Sequence, residues 1–170
     1  IARADAAIAE KNPDLPAEER QAVAQSVGIG AVKYADLSND RIKDYVFDYD
    51  RMLALDGNTA PYLLYSYARI RSIFRKGEIA FDGFVNDTLA VNEPAERALA
   101  LQLLQFGDVV ESVADSLEPH RLYNYLYDLA TRYHRFFEQC PVLKADDEAT
   151  KASRLALCHL TARTLERGLG

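Results

Sequence analysis

The chain has 170 residues, 49% of them hydrophobic and 27% charged, with a net charge of −6 at pH 7. That balance excludes a disordered, collagen-like or membrane-spanning chain, and the length is enough to bury roughly 70% of the unfolded surface in one or two domains. Excess acid also argues against a protein that coats nucleic acid indiscriminately.

Local preference runs toward helix: 25 Ala and 21 Leu stand against 10 Val, 7 Ile and 6 Thr. In chain order, residues 1 to 11 read as an Ala-rich helix, broken at Asn12-Pro13 and restarted at Pro16 for a second helix to about Asp36. Gly28 and Gly30 interrupt it as points of close helix packing. The run GIGAVK has Lys33 where a dinucleotide loop needs its third glycine. Tyr45, Phe47 and Tyr49 alternate with polar residues, which predicts a short extended segment near 43–50, ahead of a turn at Asp56-Gly57-Asn58. A third long helix starts at Asn58 or Thr59, carries Pro61 in its first turn and ends at Gly77. After a loop over 78–91, Asn92 starts a helix to about Phe106, and Asp108 caps another to Leu117. Pro119 opens an aromatic helix in which Leu122, Tyr125, Leu126, Leu129, Tyr133, Phe136 and Phe137 form one stripe, stopped by Pro141. Asp146 and Asp147 start the last helix, with Leu155, Cys158, Leu165 and Leu169 on its inner side. The fold expected is all-α, a helical bundle.

Few residues offer chemistry. Cys140 and Cys158 have no CxxC partner, which indicates neither a disulfide framework nor a zinc site and fits a reducing cytoplasm. His120, His134 and His159 lie outside any HExxH or GxSxG setting, and acidic pairs such as Asp48 and Asp50 lack the rest of a ligand set, so no catalytic or metal residue is assigned. Basic charge, by contrast, is concentrated: residues 61–80 carry +3, 118–144 carry +1 and 151–170 carry +3 within an acidic chain. Arg outnumbers Lys 14 to 6, and guanidinium grips phosphate bidentately and stacks on rings. In PYLLYSYARIRSIFRK, Tyr62, Tyr65, Arg69 and Ser72 fall on one helical stripe that sets rings beside a guanidinium and a hydroxyl. Single-stranded RNA is bound by such sets, with bases stacked on aromatics and arginines on phosphates; a stripe buried in a helical core is the competing reading.

Six runs in order, VKYADLS (Val32 to Ser38), FDYDRML (Phe47 to Leu53), GNTAPY (Gly57 to Tyr62), YSYARIRSIFRK (Tyr65 to Lys76), YLYDLA (Tyr125 to Ala130) and FFEQCPVL (Phe136 to Leu143), resemble the C-terminal part of the class I arginyl-tRNA synthetases. The resemblance covers nearly the whole chain, and GNTAPY with YSYARIRSIFRK favours this family over the cysteinyl one. It implies a helical bundle of the class I anticodon-binding type, with residues 56–170 as the DALR anticodon-binding domain and 1–55 as the tail of the catalytic region that contacts the tRNA stem. It further implies a role in recognising the anticodon stem-loop of tRNA(Arg), with no DNA or membrane partner. The whole enzyme uses ATP and Mg to attach L-arginine to that tRNA. Neither HIGH nor KMSK occurs here, so the chain is expected to be an excised piece that needs no cofactor, lacks its N-terminal catalytic domain and binds without charging. By the resemblance, Tyr65 and Arg69 hold the unstacked anticodon loop, Ser72 and Arg75 lie on or near the same face, and Phe137 stands where the family frequently has a tyrosine that meets a base. Phenylalanine keeps the stacking surface and loses a hydroxyl bond. The family's PERM-type tail, which shapes the pocket, does not follow Gly170, so a weakened pocket is expected. A helical scaffold or interaction module without RNA is the alternative function.

Overall fold

A computed structural model describes residues 1–86 and 88–170. Eight helical segments account for the regular structure, and no strand occurs among the described residues: α1 (Ala2–Lys11), α2 (Ala17–Ser38), α3 (Tyr49–Met52), α4 (Ala60–Lys76), α5 (Pro94–Leu104), α6 (Phe106–Ser116), α7 (His120–Gln139) and α8 (Glu148–Leu169). The all-α expectation holds. The extended segment, however, ends at Asp48, because that carboxylate accepts from the backbone N–H groups of Asp50 and Arg51 and starts the α3 turn. Tyr49 is therefore helical, and Phe47 packs edge-on against it with ring centroids 4.8 Å apart.

The boundaries follow capping chemistry. Thr59, not Asn58, caps α4: its hydroxyl accepts from Tyr62 N–H and donates to the Ala54 carbonyl at 2.7 Å. Glu93, not Asn92, caps α5, in a reciprocal box with Glu96. Asp108 falls inside the first turn of α6, since α5 and α6 are separated by Gln105 alone, which stays in the right-handed helical region. Leu117, with φ 55°, ends α6 in the left-handed conformation. Asp147 caps α8 by accepting from Thr150 N–H.

The core lies where α4, α5, α7 and α8 meet, around Leu63, Ile70, Phe74, Leu99, Leu126, Leu129, Tyr133, Phe136, Leu157 and Leu165. Of the α7 stripe read from its period, Tyr125, Leu126, Leu129, Tyr133 and Phe136 are buried, while Leu122 and Phe137 are partly buried against the same core. Within that core one ion pair is sealed. Arg154 Nε donates to Glu96 at 2.6 Å, and the other carboxylate oxygen of Glu96 accepts from the N–H groups of Asn92 and Glu93. The bundle is extended by α2, which packs on α4 and α7; the Tyr34 hydroxyl reaches Asn58 and the Tyr123 carbonyl. Of the two glycines of α2, Gly28 is a point of close approach, with the backbone of Ile1 3.1 Å from where a Cβ would stand. Gly30 faces open space.

Candidate nucleic-acid interface

Tyr65 and Arg69 are one turn apart on α4, and Phe137 comes from the last turn of α7, which crosses beside it. Helical winding turns Tyr65 and Arg69 to the same face, and the buried stripes below them (Ser66, Ile70 and Ile73 on α4; Tyr133 and Phe136 on α7) set the two helices in register. The result is a sandwich. The Arg69 guanidinium carbon lies 4.7 Å from the Tyr65 ring centroid and 4.9 Å from that of Phe137. One Arg69 amino group donates to the Tyr65 hydroxyl, and the other meets His134 Nδ1 at 3.2 Å.

A cleft of about 560 Å³ opens beside this sandwich, lined among others by Tyr65, Arg69, Ser72, Phe137, Lys76 and Lys144. Tyr65 is 44% exposed, so the stripe is not sealed inside the bundle. Ser72 lines the cleft, whereas Arg75 does not: it is exposed at the rim and donates to the Ser72 hydroxyl at 3.3 Å. The structure thus brings Tyr65, Arg69, Ser72 and Phe137 together and leaves Arg75 one step outside. Two rings, a guanidinium and two flanking lysines form a cationic, aromatic-walled concavity suited to unstacked bases on a phosphate backbone.

Three contributors were missed from sequence: His134, Ser66 and Lys144. Ser66 and His134 are 68 residues apart yet 2.9 Å from each other, a proximity that no local period reports. Burial, and then the Arg69 cation, hold the His134 pKa below its usual value, against the opposing pull of Glu138. Tyr62, on the same stripe, leans onto the His134 ring at 5.0 Å and so braces the network from beneath.

Elsewhere the side chains point to structure. Cys158 is fully buried and its thiol is pushed up by burial; the Cys140 thiol is raised for the same leading reason. No three metal-ligating side chains converge among the described residues, and no helix there is long and apolar enough to cross a membrane.

Comparison with known proteins identifies the family. Residues 63–170 match the DALR anticodon binding domain, and residues 1–49 match the catalytic domain of class I tRNA synthetases of the arginyl type. The chain is 59% identical over 169 residues to the arginine–tRNA ligase of Thermobifida fusca and 56% identical over 168 to that of Laribacter hongkongensis. Each alignment takes in 99% of the chain. It superposes on Thermus thermophilus arginyl-tRNA synthetase with a TM-score of 0.87 at 35% identity, over 99% of this chain and 29% of that one. The chain spans 29% of the length of those two curated ligases. With the family model matching the helices that build the cleft, the chain belongs to the DALR anticodon binding domain family, in the form similar to the C-terminal part of arginine–tRNA ligases.

Proposed function

We propose that the cleft between α4 and α7 receives the opened anticodon loop of tRNA(Arg), with Tyr65 and Phe137 offering ring faces, Arg69 and Ser72 polar contacts, and Arg75 a rim charge. The observation that carries the reading is the Arg69 guanidinium suspended between two rings at the wall of a cationic cleft. Each stacked base contributes about 1 to 3 kcal/mol, and each neutralised phosphate adds about 0.7 to the log-log salt slope. Residues 56–170 act as the binding domain, and 1–55 as the tail that joins it to a catalytic region and contacts the tRNA stem.

The whole protein, in this reading, is a cytoplasmic enzyme that attaches L-arginine to tRNA(Arg) with ATP and Mg. Neither HIGH nor KMSK occurs in these 170 residues, and in this reading the steps of activation belong to the rest of the enzyme. The part of this chain is docking.

Filter binding of the chain to arginine-accepting tRNA and to an anticodon-mutated control, across a salt series, tests the reading. Tighter binding of the matched tRNA, with protection of the loop, supports it. Equal, weak binding of both would leave the scaffold function in its place.

A further inference from the structure

The hydrogen bonds beneath Arg69 assign the state of His134. Ser66 Oγ lies 2.9 Å from the Tyr62 carbonyl oxygen and 2.9 Å from His134 Nε2. A carbonyl oxygen only accepts, so the single hydroxyl proton goes to Tyr62, and toward the ring Ser66 is left as an acceptor. Nε2 then carries the ring proton. From the other side, Arg69 Nη1 is a donor without lone pairs and lies 3.2 Å from Nδ1, so Nδ1 must be the bare acceptor. Both ends require the same neutral tautomer, fixed by a relay from the Tyr62 carbonyl through Ser66 and His134 to Arg69 and on to the Tyr65 hydroxyl.

We infer that His134 is the positioning residue of this cleft: its neutral ring anchors Arg69 between Tyr65 and Phe137, and a proton on Nδ1 releases the guanidinium. The RNA consequence rests on the function proposed above; the anchoring itself does not. The ring is faced from α4 by Tyr62, Tyr65, Ser66 and Arg69, and from α7 by Tyr133 and Glu138. Glu138 is the one carboxylate in that set, and Arg69 the one permanent cation. A proton on Nδ1 turns an acceptor facing a guanidinium into a second donor and a second charge, and the anchor becomes a repulsion. A freed Arg69 regains rotamer entropy that binding must then remove.

Three substitutions separate anchoring from ring packing. In His134→Asn, the amide oxygen stands where Nδ1 was and keeps the acceptor. In His134→Gln, the longer amide reaches toward Ser66 and leaves Arg69 without one, and His134→Phe retains only the ring. Against an arginine-accepting anticodon stem-loop, Asn is expected to bind within about twofold of the parent, while Gln and Phe weaken roughly tenfold, as for the loss of one hydrogen bond to a charged group. Equal affinity across the series, or a loss in Asn as large as in Phe, would overturn the inference. A protonated ring also attracts phosphate in general, so the pH profile is read as the ratio of matched to anticodon-mutated loop. That ratio falls on acidification in the parent and stays flat in His134→Asn. Nitrogen NMR of the free parent chain provides a measurement without RNA or substitution: an Nε2–H imidazole and a restrained Arg69 guanidinium near pH 7.5, with the restraint lost as His134 titrates. An Nδ1–H tautomer, or an Arg69 signal indifferent to that titration, would refute the anchoring. Should the stem-loop not bind at all, the RNA reading fails while the NMR result still decides the role of His134.

Discussion

Arg69 and Arg154 show how one residue type serves two ends at different depths. Arg69, half-buried between two rings, keeps unspent donors for a ligand. Arg154 lies in the core and spends its Nε and Nη1 donors on Glu96 and the Pro141 carbonyl. Replacing Arg69 with Ala is expected to weaken stem-loop affinity by about 1 to 3 kcal/mol and to lower the unfolding midpoint far less than the loss of Arg154 does, because the group is only partly buried. An unchanged affinity in a titration would remove Arg69 from the site. Arg154→Ala reverses the pattern. It strands the Glu96 carboxylate, whose side chain is only 1% exposed, so chemical denaturation should report a loss of about 3 to 5 kcal/mol.

At the level of elements, single contacts decide where helices begin and how closely they pack. The Thr59 hydroxyl both caps α4 and ties back to Ala54, so Thr59→Ala should cost about 1 kcal/mol or somewhat more, measured by urea unfolding. Gly168, near the end of α8, has a different constraint. A Cβ there would stand 2.6 and 2.8 Å from the Leu126 methyls and 3.2 Å from its Cγ, and Leu126 is fully buried, with no open space to turn into. Gly168→Ala, a change that favours an isolated helix, is therefore expected to destabilise this one by about 1 to 3 kcal/mol. A raised unfolding midpoint would show that α7 and α8 can part without cost. The boundaries misread from sequence belong to this scale too. Glu93 was passed over in favour of Asn92 because a glutamate cap depends on its reciprocal bond with Glu96, and Glu96 in turn depends on Arg154 from α8.

For the whole molecule, pH links these parts. Burial, then a neighbouring arginine, depresses both His134 and His159, so the unfolded chain takes up protons that the folded one refuses. Their contribution to stability is complete above the ordinary histidine value and is lost as pH falls from there toward the depressed folded values. Glu96 adds a second, more acidic window. Burial raises it, but the backbone N–H groups and Arg154 outweigh that effect and leave it below its ordinary value, so its contribution disappears as pH falls through the folded-state pKa. Thermal unfolding should therefore show an early decline beginning near the ordinary histidine range and a steeper one in acid; a midpoint constant from pH 7.5 to 5.5 would contradict the histidine assignment.

Sequence alone determined the seven longer helices, α3 excepted, and the face that carries Tyr65, Arg69 and Ser72, since both follow from a repeat of 3.6 residues and from caps a few positions away. The place of Phe137 beside Arg69 was legible only through family resemblance. Helix packing alone decided the rest: which arginine is free and which is locked, that Arg75 stays at the rim, and that His134 faces Arg69 through a gap of 65 residues. Such meetings are set by the fit of the whole core, where every buried side chain fixes the distance between two surfaces, and no local pattern along the chain encodes that distance.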